Sequence, residues 1–207
     1  MRRSKEEAAK TRCAILDAAE RVFCEQGVSS ATLEKISQAA GVTRGAFYWH
    51  FKDKGDLLRA LKERCAPLQR QLVFAAAEKG HDDPLRLLEK SAIEILELLE
   101  VDERQQRLFV IMWGYIPNAD ETNWFEEFNA ELFGATLRLT SQGQEKGFLS
   151  SDFDPNEAAV MLMASMSGLL SEWLRSGRAF SLKDIGGKIV RKQMQLLMKV
   201  PVVSSDP

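Results

Sequence analysis

Between Ala39 and Lys54 the chain reads AAGVTRGAFYWHFKDK, and no other stretch limits the possible folds so tightly. Two small residues precede Gly41, where glycine permits the positive φ that reverses a chain. Thr43 then offers a hydroxyl at the right place to cap a new helix running to about His50 or Phe51. Phe47 and Phe51 lie four apart and share the core-facing side with Val42. Thr43, Arg44, Tyr48, Trp49 and Lys54 are left facing outward. A short helix that exposes arginine, tyrosine, tryptophan and lysine implies a partner that covers them.

The preceding segments fit a pair of crossed helices leading into that turn. Ile15, Ala18, Ala19, Val22 and Phe23 follow helical spacing, which predicts a first helix from Ser4 to Gln26 closed by Gly27. A second helix is predicted from about Thr32 to Ala40, with Ser30 or Thr32 as its cap and Leu33, Ile36 and Ala40 on its apolar face. Ala39 and Ala40 are small enough to let two helices approach. This is helix-turn-helix chemistry, whose second helix enters the DNA major groove. Arg44, near the start of that helix, carries the fork that pairs with guanine O6 and N7. Tyr48, His50 and Lys54 have the donors that phosphates accept. Arg2, Arg3 and Lys5 fit either a tail along a phosphate backbone or a solvated terminus.

The charge distribution agrees. Residues 1–64 hold 13 Lys/Arg against nine Asp/Glu, a net of +4, whereas the remainder holds 15 against 21, a net of -6. A basic front on an acidic body separates nucleic-acid contact from another task.

These residues carry a family resemblance. The run TLEKISQAAGVTRGAFYWHFKDKGDLL resembles the DNA-binding signature of the TetR family of transcriptional regulators, and its TRGAFYWHFKDK part resembles the AcrR-like repressors of multidrug efflux pumps. Lys10 to Phe23 extends the match, which covers the first 64 residues specifically. Ser37 stands where the family usually has alanine, and Gly55 where a charged or hydroxyl residue is more usual. The resemblance implies an all-α fold, with a three-helix helix-turn-helix domain over 1–53 joined to a larger helical ligand-binding and dimerisation domain over 54–207. It implies DNA contacts at Thr32, Thr43, Arg44, Gly45, Tyr48, Trp49, His50 and Lys54. It also implies a cytoplasmic homodimer on a palindromic double-stranded operator, released by a small apolar or cationic effector.

Beyond the front segment, Leu57, Leu58, Leu61, Cys65 and Leu68 mark a helix from Lys54 towards Gln71, which Pro67 ends or kinks near Ala66. That break fits a hinge or simply a shorter helix. Further helices are predicted at 84–100, 105–115, about 124–142, from Asp154 through Trp173, and at 182–200, with Gly143, Gly147 and 150–155 breaking the pattern. Large adaptable residues are dense between 109 and 133. Aromatic and methionine side chains suit a permissive apolar cavity, so Phe109, Trp113, Trp124, Phe128, Phe133, Met166 and Trp173 are the expected ligand contacts, with Asn129, Gln142 and Glu172 as orienting groups.

Other function classes find little support. The two histidines, His50 and His81, lie in no catalytic or metal-binding pattern, so no catalytic residues, metal ligands or cofactor are expected. No apolar run approaches the length of a membrane span. Two alternatives stay open: a redox-sensing regulator using Cys13, Cys24 or Cys65, and a regulator of metabolic genes with a lipid-like or aromatic effector.

Overall fold

The computed structural model describes residues 5–65, 67–113 and 122–199, with side chains described for the same residues except 67, 68, 113 and 122–128. Its secondary structure is helical: α1 (Lys5–Gln26), α2 (Leu33–Ala39), α3 (Arg44–His50), α4 (Lys54–Lys62), α5 (Pro67–Lys79), α6 (Pro84–Val101), α7 (Glu103–Trp113), α8 (Thr122–Glu145), α9 (Pro155–Arg175) and α10 (Gly187–Leu197). A π-helical turn, Leu182–Gly186, leads into α10. The chain divides into two compact units, residues 1–65 with 103–127, and residues 66–102 with 128–207.

In the first unit, the apolar stripe of α1 is buried with Ile36 of α2, Phe47 and Phe51 around α3, Leu57, Leu58 and Leu61 of α4, and Leu108, Ile111 and Met112 of α7. The sequence-based division at 53/54 differs from this packing. The α4 leucines bury their surface in this core and so join α4 to the helix-turn-helix.

Local chemistry sets the helix ends. Thr32 accepts from Lys35 N and caps α2, which decides between the two hydroxyls expected there. Gly41, at φ +66, ends α2 in a Schellman motif: Val42 N donates to Ser37 O and Gly41 N to Gln38 O, each at 3.0 Å. Any residue with a Cβ would be strained there.

The break before Pro67 lies further back than expected. Helix α4 stops at Lys62, residues 63–65 form a turn, and Pro67 starts α5 where its missing N–H costs nothing. Of the two alternatives, a hinge or a shorter helix, the described residues show the shorter helix, with α5 as a separate one.

In the second unit, Asp83 caps α6 ahead of Pro84, and Asp154 with Glu157 closes a capping box on α9. Gly143 does not break α8 as expected. It lies inside the helix against Leu85, with an added Cβ reaching to 3.0 Å of that side chain, and the true stop is Gly147 at φ +73. The final helix is shorter than 182–200, because Met198 pairs with Leu149 in an antiparallel bridge.

Candidate nucleic-acid interface and effector cavity

Two threonines build the helix-turn-helix surface. Thr43 Oγ1 accepts from Ala46 N at 3.2 Å and fixes the start of α3, so Arg44 stands exposed at the first helical position. Thr32 and Gly45 are also exposed, and Gly45 leaves the backbone uncovered next to Arg44. One face of α3 is anchored by Phe47, which is fully buried and lies 5.9 Å from the Phe51 ring. The opposite face presents Tyr48 at 47% and Trp49 at 73% exposure. A tryptophan so exposed on a seven-residue helix is poorly explained by folding alone. His50 is half-buried, with its ring edge-on to Trp49 at 4.6 Å.

Lys54 differs from the outward cation expected. It is half-buried, and its Nζ donates to Val28 O at 2.9 Å and Ser29 O at 3.4 Å, tying α4 to the loop between α1 and α2. Sequence spacing did not disclose this, because those carbonyls lie 25 and 26 positions upstream. Lys52, which the sequence reading passed over, is the exposed cation beside the end of α3. Its place in the FKDK run was the available signal.

The second unit contains an apolar cavity of about 130 Å³. Its wall is formed by Val73 of α5, Leu88, Ser91, Ala92 and Ile95 of α6, Leu132 and Thr136 of α8, Leu162, Met163, Ser165, Met166 and Leu169 of α9, and Ile189, Val190 and Gln193 of α10. That volume is close to what a benzene-sized group needs. Its few polar groups are mostly engaged. Gln193 Nε2 donates to Met161 O and Ser165 Oγ, both at 2.9 Å, and Thr136 Oγ1 donates to Leu132 O at 2.9 Å. No ionisable side chain lines the cavity among the described residues. The cationic effector anticipated from sequence finds no counter-charge in this wall, and burying an unpaired charge is costly.

Of the expected ligand contacts, Met166 lines this cavity. Phe109 is buried on α7 in the first unit, and half-buried Phe133 on α8 lies outside the wall. Trp173 is committed elsewhere: its Nε1 donates to Phe180 O at 2.9 Å and the Arg178 guanidinium sits over its ring. The side chains of Trp113, Trp124 and Phe128 lie outside the described residues. Gln142 donates to the Ala76 and Ala77 carbonyls, so it braces α8 on α5, while Glu172 pairs with Arg175.

The cysteines offer little to redox sensing. Cys24 Sγ donates to Arg107 O at 3.7 Å, and burial pushes its thiol up from the ordinary cysteine value, which suppresses the reactive thiolate. Cys65 packs against the first unit's core, and Cys13 is exposed. Among the described residues, no cluster of His, Cys, Asp and Glu is placed to hold a metal ion, and no helix is long and apolar enough to cross a membrane.

Comparison with known proteins agrees with this geometry. Residues 15–61 match the family model for bacterial regulatory proteins of the tetR family, and residues 83–199 match that for the C-terminal region of MAATS-type transcriptional repressors. The HTH-type transcriptional repressor BepR of Brucella suis biovar 1 (strain 1330) is 38% identical over 201 residues, covering 95% of this chain and 96% of BepR. NalD, the secondary repressor of the MexAB-OprM multidrug efflux pump in Pseudomonas aeruginosa, superposes with a TM-score of 0.80 at 32% identity, covering 94% of this chain and 99% of NalD. SmeT in complex with triclosan gives 0.81 at 32% identity, over 96% and 98% of the two chains. SmeT is the repressor of the Stenotrophomonas maltophilia multidrug efflux pump SmeDEF. With both family models matched and relatives aligned over nearly their whole length, this chain belongs to the TetR family of bacterial regulators, and is a DNA-binding transcriptional regulator rather than an enzyme.

Proposed function

We propose that this protein is a cytoplasmic, homodimeric repressor of a multidrug efflux operon, released from a palindromic operator by a small, uncharged, apolar effector. Residues 1–53, with Lys54 at their edge, carry the operator contacts, and 54–207 the effector and dimer functions. The observation that supports this best is the near full-length likeness to NalD and SmeT, combined with a cavity that holds no ionisable group. Thr32, Thr43, Arg44, Gly45, Tyr48 and Trp49 form the exposed operator face, with His50 and Lys54 at its half-buried edge.

Support for the dimer comes from Val160 on α9 and from Ile185, Ile189 and Leu196 in the final helical segment, all large apolar side chains at 44–65% exposure. Two-fold symmetry would set two α3 helices about 34–36 Å apart, or a multiple of it, matching half-sites one or more turns apart.

An effector that favours a conformation with misplaced α3 helices must weaken DNA binding by the same free energy, typically about 5- to 150-fold. The test uses a duplex selected from a random pool by the wild-type protein. Triclosan should raise the dissociation constant for that duplex, and a permanently cationic aromatic of similar size should not. Ala92→Phe, which fills the cavity, should keep operator affinity and lose the triclosan response. Equal release by both compounds, or an undiminished response in Ala92→Phe, would remove the cavity from the mechanism.

A further inference from the structure

Four charged side chains meet in the first unit, with Glu20 buried and Asp17 and Arg104 partly exposed. Asp17 and Glu20 come from α1, Arg64 from the turn after α4, and Arg104 from the first turn of α7. Arg64 Nη1 donates to Asp17 Oδ1 at 2.7 Å and Glu20 Oε1 at 2.9 Å. Arg104 Nη2 donates to the same two oxygens at 2.8 and 2.9 Å, and its Nε to Glu20 Oε2 at 3.1 Å. The Glu20 side chain is only 4% exposed. The next residue of α7, Gln105, donates from Nε2 to Arg64 O at 3.0 Å. Two consecutive residues of α7 thus grip α1 and the end of α4 separately.

Stability alone does not explain this arrangement. Leu108, Ile111 and Met112 already bury α7 in the same core. A buried carboxylate pays a desolvation cost that an apolar side chain would avoid, so a buried ion pair is weak evidence for stabilisation. What an arginine fork adds is direction: several N–H···O bonds fix angle as well as distance. The position in the chain is telling as well. Helix α6 lines the cavity with Ser91, Ala92 and Ile95, and Asp102 alone separates α6 from α7. Ile95, the last of these cavity residues, therefore lies nine positions before Arg104 in the chain.

We propose that Arg104 is a positioning residue for operator binding: its fork on Asp17 and Glu20 fixes α1 to the start of α7 and holds the helix-turn-helix in one orientation, without touching DNA. The proposal rests on the helix-turn-helix being the DNA contact. Loss of the fork leaves Glu20 paired with Arg64, so α1 keeps its fold but gains orientational freedom that must be surrendered on binding.

The test uses the full chain and the selected duplex, with affinity measured over a range of salt concentrations and thermal midpoints recorded beside it. Arg104→Met should weaken operator binding by roughly tenfold with an unchanged salt slope, because no phosphate contact is lost. Arg104→Lys, a point charge without the fork, should fall between. Wild-type affinity in Arg104→Met overturns the proposal, and so does a reduced salt slope, which would make Arg104 a phosphate contact. If Arg104→Met does not fold, Arg104→Lys decides, and wild-type affinity there refutes it. Arg44→Ala separates the two readings. Weak binding by Arg104→Met beside wild-type binding by Arg44→Ala would support the clamp while removing Arg44 as a DNA contact.

Discussion

Helix α3 is seven residues long, too short to be stable on its own, and Thr43 is the residue that starts it. Its Oγ1 accepts the Ala46 N–H at 3.2 Å, satisfying one of four amide groups that have no partner within the helix. Replacing it by alanine should cost about 1 kcal/mol, within a range of about 0.5–2. For a chain of this size, that is a fall of about 2–4 °C in thermal midpoint. On DNA the effect should be larger than the melting shift suggests. Arg44 is the first helical residue, and its aim is set by the turn that Thr43 holds. If helix ordering must be supplied on binding, 1 kcal/mol alone weakens binding by about fivefold. Thr43→Ser keeps the acceptor and should restore both quantities. Melting curves without DNA and fluorescence anisotropy with a selected duplex would measure the two effects. Thr43→Ala melting within half a degree of wild type, with affinity lost all the same, would refute the capping argument and leave a direct DNA contact as the role of Thr43.

Two other perturbations follow from the geometry. Lys52→Ala should reduce the salt slope of DNA binding by about one unit, whereas Lys54→Ala should chiefly lower the thermal midpoint, because its ammonium is spent on the Val28 and Ser29 carbonyls; the reverse pattern would exchange their roles. Cys24 should react with iodoacetamide far more slowly than Cys13. Because its folded pKa is raised, the stability it contributes is whole below the unfolded value of about 8.5 and is lost as pH rises through the folded value; a urea midpoint that falls no more steeply above that pH in wild type than in Cys24→Ser would contradict this.

The helix-turn-helix was legible because local rules carry most of it. Thr32 and Thr43 cap within three residues, Gly41 turns within six, and the Phe47–Phe51 spacing declares a face without reference to the rest of the chain. The cavity was not legible, for the opposite reason. Five helices contribute to its wall, and periodicity reveals that a helix has an apolar face without revealing what it faces. Aromatic density between 109 and 133 pointed to a pocket, yet among the described residues the cavity is lined by aliphatic, methionine and small side chains and by Gln193. Trp173 shows how composition misleads: a large side chain with one N–H is as well used by a loop carbonyl as by a ligand.

The same contrast explains why Glu20 drew no notice in the sequence and carries so much in the structure. On α1 it lies one turn from Asp17 among several acids, and a glutamate so placed reads as a solvated side chain. Its burial depends on two arginines that arrive 44 and 84 positions later. Those arginines also show why a linear boundary describes this chain poorly. Arg104 falls within the segment that matches the C-terminal repressor model, yet it closes a cluster with the first helix. The segment that matches the C-terminal model thus also completes the core of the first unit. An effector that shifted the start of α7 against α1 would have to carry α1 with it or break charge-assisted bonds to a buried carboxylate.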